Sequence, residues 1–167
     1  IIIKTSIYKY VLVFDEFFQH NIANIKNFIN PSLTVISMKT KTIKQVVIFK
    51  ANPHEVYEAL MDEKKHSKFT NSHCKISRKV NGKFSAYDDY IEGINIELIK
   101  DKKIKQKWTC SEWPENHYSI VIFVLKKVKE WTKLEFTQTN VPKEFYRSIY
   151  DGWYEHYWSH MKEMLES

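Results

Sequence analysis

The stretch from Glu144 to Leu165 constrains the fold more than any other part of the chain. Read at steps of three and four, it places Phe145, Ile149, Trp153, Tyr157, Met161, Met164 and Leu165 on one side. That spacing is the period of an amphipathic helix of about 3.6 residues per turn. A second line of rings, Tyr146, Tyr150, Tyr154 and Trp158, runs beside the first. A helix with so wide an apolar face needs a large concave partner to cover it.

The preceding residues read as that partner. Between Thr42 and Lys50, the β-branched run Ile43, Val46, Val47, Ile48 and Phe49 predicts a strand buried on at least one face. Asn52 can cap a helix, Pro53 fits its first position, and Glu55 lies three residues after the cap. This short helix carries Val56, Tyr57, Leu60 and Met61 and ends near Asp62. A second covers Glu63 to Phe69, with Phe69 as its anchor.

After Asn71 the apolar period becomes two. Asn81-Gly82 predicts a hairpin turn, since both residues tolerate positive φ. Ile94, Ile96 and Leu98 alternate with Asn95, Glu97 and Ile99. Ile104, Gln106, Trp108 and Cys110 alternate with Lys105, Lys107 and Thr109. Tyr118 to Leu125 is nearly continuous apolar, a central strand. Leu134 and Phe136 follow before Pro142 stops the sheet. The expectation is an α+β fold. An antiparallel sheet of about six to seven strands is covered on one face by the long C-terminal helix, and two short helices close one end.

At 167 residues the chain is most simply one domain, with few glycines and many rings. The first 37 residues do not match the rest. The run Ile7 to Phe18 is interrupted by Lys9, Asp15 and Glu16, and Met38 stands directly before the first strand pattern. We therefore expect either that Met38 is the true start and residues 1–37 are an upstream extension, or that they are a linker from something larger, with residues 38–167 the folded domain. Net charge is +6 and almost wholly lysine, with Arg78 and Arg147 the only arginines. That bias argues against nucleic-acid recognition, which favours arginine forks. Cys74 and Cys110 form no metal-spaced pair or disulfide framework, which suits a reducing cytoplasm. No run of about 18 apolar residues is present to span a membrane.

Candidate chemistry is sparse. There is no nucleophile–base motif, P-loop or dinucleotide glycine fingerprint, so no catalytic residue and no cofactor is expected. Asp88-Asp89 reads as a loop or edge pair, because strand neighbours point to opposite faces. His156 and His160 share a helix face but have no third ligand spaced with them. Lys100, Lys102, Lys103, Lys105 and Lys107 form a basic cluster that can meet an acidic partner surface. Tyr57, Phe69, Trp108, Phe123, Trp153 and Tyr157 are core candidates, or the lining of an apolar pocket between sheet and helix.

Several stretches resemble a known family. Asn81-Gly82-Lys83-Phe84 is similar to a Gly-Gly-Lys-Phe turn, and Glu92-Gly93 with Leu98-Ile99 through Ile104 to the hairpin after it. Trp108 followed by Glu112-Trp113-Pro114-Glu115-Asn116-His117 resembles a Trp, Trp-Pro-Glu-Gly-His signature, with Asn116 in place of a glycine. Gly152-Trp153 with Tyr157 resembles the Gly-Trp that opens a long final helix. Together these resemble the C-terminal domain of the activator of heat-shock protein 90 ATPase, within the START-like, helix-grip superfamily. The resemblance covers about Lys41 to Leu165 and implies a helix-grip fold and a non-catalytic co-chaperone module that binds heat-shock protein 90. Trp113, Glu115 and His117, with the lysine cluster, would then face the partner, although His117 can also fix its own turn. The superfamily also implies an alternative, a carrier holding a small apolar ligand beneath the helix. The separate N-terminal domain of strongly stimulating members has no counterpart among the 37 residues that precede the match.

Overall fold

The computed structural model describes residues 38–167, so the expectations about the extension before Met38 concern residues outside those described. Strand β1 (Thr40–Phe49) leads to helices α1 (Pro53–Met61) and α2 (Glu63–Thr70). The start of α1 follows from its sequence. Asn52 Oδ1 accepts from the Glu55 N–H at 3.1 Å, and the Asn52 N–H donates to the Glu55 carboxylate at 3.0 Å. Asp62 ends α1 and caps α2 through the Lys65 N–H at 2.9 Å.

Strands β2 (Lys75–Ile76), β3 (Lys83–Ala86), β4 (Ile91–Ile99), β5 (Lys103–Cys110), β6 (Ser119–Val128) and β7 (Trp131–Pro142) follow as an antiparallel meander. The sheet has seven strands in the order β1-β7-β6-β5-β4-β3-β2. Only β1 pairs far along the chain, setting Ile43 opposite Gln138 and Val47 opposite Leu134 on β7. A 3-10 turn at Lys143–Phe145 opens the final helical run of α3 (Tyr146–Gly152), a π-helical segment (Trp153–Trp158) and α4 (Ser159–Glu166). This is the α+β helix-grip arrangement expected from the sequence.

The π-helical segment changes which rings face the sheet. In an α-helix, residues five apart point about 140° away from each other, whereas a π turn brings i and i+5 together. Trp153 and Trp158 accordingly stack, with centroids 5.3 Å apart and planes 18° apart. The second aromatic line is thereby split. Trp158 is 1% exposed against Phe49 and Phe136, while Tyr154 is 64% exposed. The indole N–H of Trp158 donates to Gln45 Oε1 at 2.6 Å, and that of Trp153 to Gln138 Oε1 at 2.7 Å. Buried Gln138 in turn donates to Ser119 Oγ at 2.9 Å. Both indoles of the π segment thus have their N–H groups satisfied.

Three local expectations are corrected. Asn81-Gly82 closes a longer loop between β2 and β3, and only Asn81 takes positive φ, at 63°. Gly82 is required for room instead, since a Cβ there would lie 2.9 Å from the Lys79 carbonyl oxygen. Along β4, Asn95 is fully buried while Ile94 and Ile96 are 36% and 37% exposed. Asn95 turns inward because its Nδ2 donates to the Ser77 carbonyl at 2.6 Å and its Oδ1 accepts from Gln106 Nε2 at 2.9 Å. A bulge between Asn95 and Glu97 then restores the alternation, and Leu98 packs against the core. Finally, Gly152 does not open the last helix; it lies within the run, at the junction of α3 and the π segment, with φ −58°.

Candidate functional site

A groove of about 360 Å3 opens where the first half of the final helical run crosses the end of the sheet. Helix residues Ile149, Gly152, Trp153 and His156 form one wall. Ile91 from β4, Trp108 from β5 and Glu112 just beyond it form the other. The space beside Gly152 is open, since a Cβ there would meet nothing nearer than the His156 ring at 4.0 Å.

The mouth is set by the β3–β4 turn, which contains the Asp88-Asp89 pair. Tyr87, Asp88 and Asp89 all take positive φ, at 54°, 54° and 66°. A single left-handed position costs an L-residue about 1–2 kcal/mol, so three in succession persist only where the surroundings hold them. Ser72 Oγ donates to Asp88 Oδ2 at 2.7 Å, and the Asp88 N–H to the His73 carbonyl at 3.2 Å. The turn aims two phenols at the groove. Tyr87 donates to the His156 carbonyl at 2.8 Å, and Tyr90 donates to Glu112 Oε2 at 3.0 Å. Burial pushes the Tyr87 hydroxyl up to about 12. Burial, then the neighbouring Cys110 and Glu112, raise that of Tyr90. Both phenols keep their protons at neutral pH, as those two hydrogen bonds require.

The six pocket-or-core candidates divide. Trp108, Trp153 and Tyr157 line the groove, whereas Tyr57, Phe69 and Phe123 are buried in the core away from it. Behind the groove the interior is nearly filled, leaving a void of about 30 Å3 beside His66, Gln106 and Phe123. His66 is buried between the Leu60 carbonyl, 3.2 Å from Nδ1, and the Tyr157 hydroxyl, 3.3 Å from Nε2. Burial lowers its pKa to about 4. The lining residues not anticipated as a site are Tyr87, Tyr90, Ile91, Glu112, Ser148, Ile149 and Gly152. Gly152 carried a usable signal, since an isolated glycine inside a helical pattern costs about 1 kcal/mol against alanine.

The lysine cluster lies on another surface. Lys100 and Lys102 are exposed at the β4–β5 turn, while Lys103, Lys105 and Lys107 alternate with the buried residues of β5 and so face away from the helix. Lys103 pairs with Glu97 at 2.7 Å, and the Lys107 ammonium stands 3.6 Å from the centre of the Tyr118 ring. In the turn after β5, Trp113 is 6% exposed, packs edge-on against Trp108 at 5.0 Å and leaves its indole N–H without a partner among the described residues. His117 Nε2 is 2.7 Å from the Asn140 carbonyl, which ties the turn to β7. Asn116 takes the left-handed conformation at φ 61°. Glu115 is exposed.

His156 and His160 are both exposed. Among the described residues, no group of three or more His, Cys, Asp or Glu could hold a metal ion, and no helix is long and apolar enough to cross a membrane.

Comparison with known proteins fits this architecture. Residues 50–166 match the family described as "Activator of Hsp90 ATPase homolog 1-like protein". An activator of 90 kDa heat shock protein ATPase homolog from Dictyostelium discoideum is 31% identical over 115 residues, 68% of this chain and 30% of that protein. The mouse homolog 2 is 25% identical over 137 residues, 82% of this chain and 41% of that one. The chain therefore spans well under half the length of these curated relatives. Among solved structures, an HSP90 activator from Plasmodium falciparum superposes with a TM-score of 0.71 at 26% identity, covering 75% of this chain and 96% of that one. The Aha1 dimer from Colwellia psychrerythraea, at 21% identity and a TM-score of 0.66, shares the fold. With the match extending from the end of β1 through the whole final helix, the chain belongs to the family of activator of Hsp90 ATPase homolog 1-like proteins.

Proposed function

We propose that residues 38–167 act as a chaperone-binding domain that stimulates or modulates ATP turnover by the 90 kDa heat-shock protein in the cytoplasm. The observation that carries this reading is the family match over residues 50–166, to a family whose curated relatives are named for that activation. The domain works as a binder and supplies no catalytic residue. It favours the chaperone's ATP-competent closed arrangement over the open one, and a preference of about 1–3 kcal/mol changes the balance roughly 5–150-fold. Lys100, Lys102, Lys103, Lys105 and Lys107 steer it onto an acidic face.

Chaperone ATPase and binding assays with the full chain and with residues 38–167 test this. Stimulation should fall as salt rises, because exposed charges more than about 10 Å apart are screened at 0.1 M. Lys105→Glu combined with Lys107→Glu should weaken binding without unfolding the domain. Absence of binding at low salt removes the proposal.

A second reading, a carrier for a small molecule with an apolar body, is supported by the 360 Å3 groove. That volume lies at the small end of the usual range of roughly 300–1,000 Å3 for ligand sites. A bound compound retained on purification and seen by native mass spectrometry is the expected result.

A further inference from the structure

The chemistry of the groove narrows what it can hold, and this inference rests on the carrier reading. The chain has 26 lysines and arginines against 20 acids, yet among the described residues no lysine or arginine lines the groove, and the one carboxylate there is Glu112. Of the four lining hydroxyls, that of Tyr157 is turned inward to His66 Nε2, and those of Tyr87, Tyr90 and Ser148 are committed as donors, to the His156 carbonyl, Glu112 Oε2 and the Phe145 carbonyl respectively. What they still present is lone pairs. Glu112 Oε1 is not used by Tyr90, and no fixed positive charge on the wall offsets the carboxylate. The rings of Trp108 and Trp153 line the same wall and supply apolar surface for the body of a ligand.

We propose that the groove binds a small molecule with an apolar body and a protonated amine. The ammonium is held by the Glu112 carboxylate and the Tyr90 oxygen, and the body lies against Trp108, Trp153 and Ile149. The left-handed turn at Tyr87, Asp88 and Asp89 serves this site by fixing the tyrosines at the mouth with their protons turned away from the ligand. Gly152 leaves the space that the body fills.

Isothermal titration of the full-chain protein with three probes sharing an indole body tests the assignment: tryptamine, 3-ethylindole and indole-3-propionate. A charge-assisted hydrogen bond should make tryptamine bind about tenfold more tightly than 3-ethylindole, with the propionate weakest. Glu112 is exposed, so Glu112→Gln should fold normally; it should abolish the tryptamine advantage and leave 3-ethylindole unchanged. Gly152→Trp should block all three probes. Equal affinities, a preference for the propionate, or a tryptamine advantage that survives Glu112→Gln would overturn the cation assignment while leaving the carrier reading in place. Failure of all three probes to bind the wild-type protein would overturn both. Unchanged binding to Gly152→Trp would place the probes elsewhere and overturn the inference.

Discussion

The final helical run meets the sheet in two ways. Its second half is sealed, with Trp158 and Met161 almost fully buried and the Trp158 ring set edge-on to Phe49 and Phe136. Its first half gapes, with Ile149 and Gly152 facing Ile91 and Trp108 across a 360 Å3 groove. One sheet and one continuous run of helix produce both. The sealed end has rings as large as the gap and amides placed for their N–H groups. The open end has a glycine where a ring would be needed, and a strand connection held off by a left-handed turn. Filling of such a core is therefore decided locally, residue by residue, and a groove can sit beside a packed interior without weakening it.

The largest expected effect comes from breaking the sealed half. Trp158→Ala removes a fully buried ring and leaves Gln45 Oε1 without its donor, and should destabilise the domain by about 3–5 kcal/mol. Trp153→Ala also orphans an acceptor, the buried Gln138 Oε1, but should fall at the lower end of that range, about 3 kcal/mol, because the space it leaves joins the groove and lets water in to reach that oxygen. Urea unfolding of both variants is the measurement. If Trp153→Ala costs as much as Trp158→Ala or more, the division into sealed and open halves does not hold.

Between the halves, Tyr157 lines the groove and contacts His66 in the interior. His66 is held near a pKa of about 4, against 6.5 in the unfolded chain. Below pH 6.5 the unfolded chain therefore binds a proton that the folded domain refuses until about pH 4. Stability should then fall as pH is lowered through that window, by about 2 kcal/mol between pH 6.5 and 5. His66→Gln should flatten the dependence. A wild-type stability that is constant from pH 6.5 to 5 would mean that the imidazole is open to solvent, and the interior behind the groove with it.

The packed core and the regular elements were far more legible in the sequence than the groove. The Trp153, Tyr157 and Met161 stripe, the Asn52 capping box and the alternation from Ile104 to Cys110 follow periods fixed by backbone geometry, and those elements stand as read. Trp158 was set on the wrong line because a π turn obeys neither common period. Asn95 was hidden because its inward position depends on carbonyls of a loop 16 to 18 residues earlier. The groove was the least legible feature. Its mouth depends on three left-handed residues that are not glycine, and its acid and phenols come from the β3–β4 turn and the segment after β5, which meet only in the folded chain. The pocket candidates chosen for their size, Tyr57, Phe69 and Phe123, were large because they fill space, whereas the groove exists where size is missing.

Gly152 gives the smallest effect and the sharpest one for the comparison. Its φ of −58° is helical, and a Cβ would find open space. Gly152→Ala should therefore stabilise the domain by about 0.5–1 kcal/mol, since alanine loses less backbone freedom on folding into a helix. A glycine retained where alanine would be more stable has no folding reason to be there; what it provides is volume at the groove. Gly152→Leu should keep most of that stability while filling the opening, so stability and tryptamine binding should move in opposite directions. Thermal unfolding and calorimetry on the same two variants separate the quantities. If Gly152→Ala destabilises instead, the glycine is there for packing and the open half is open by accident.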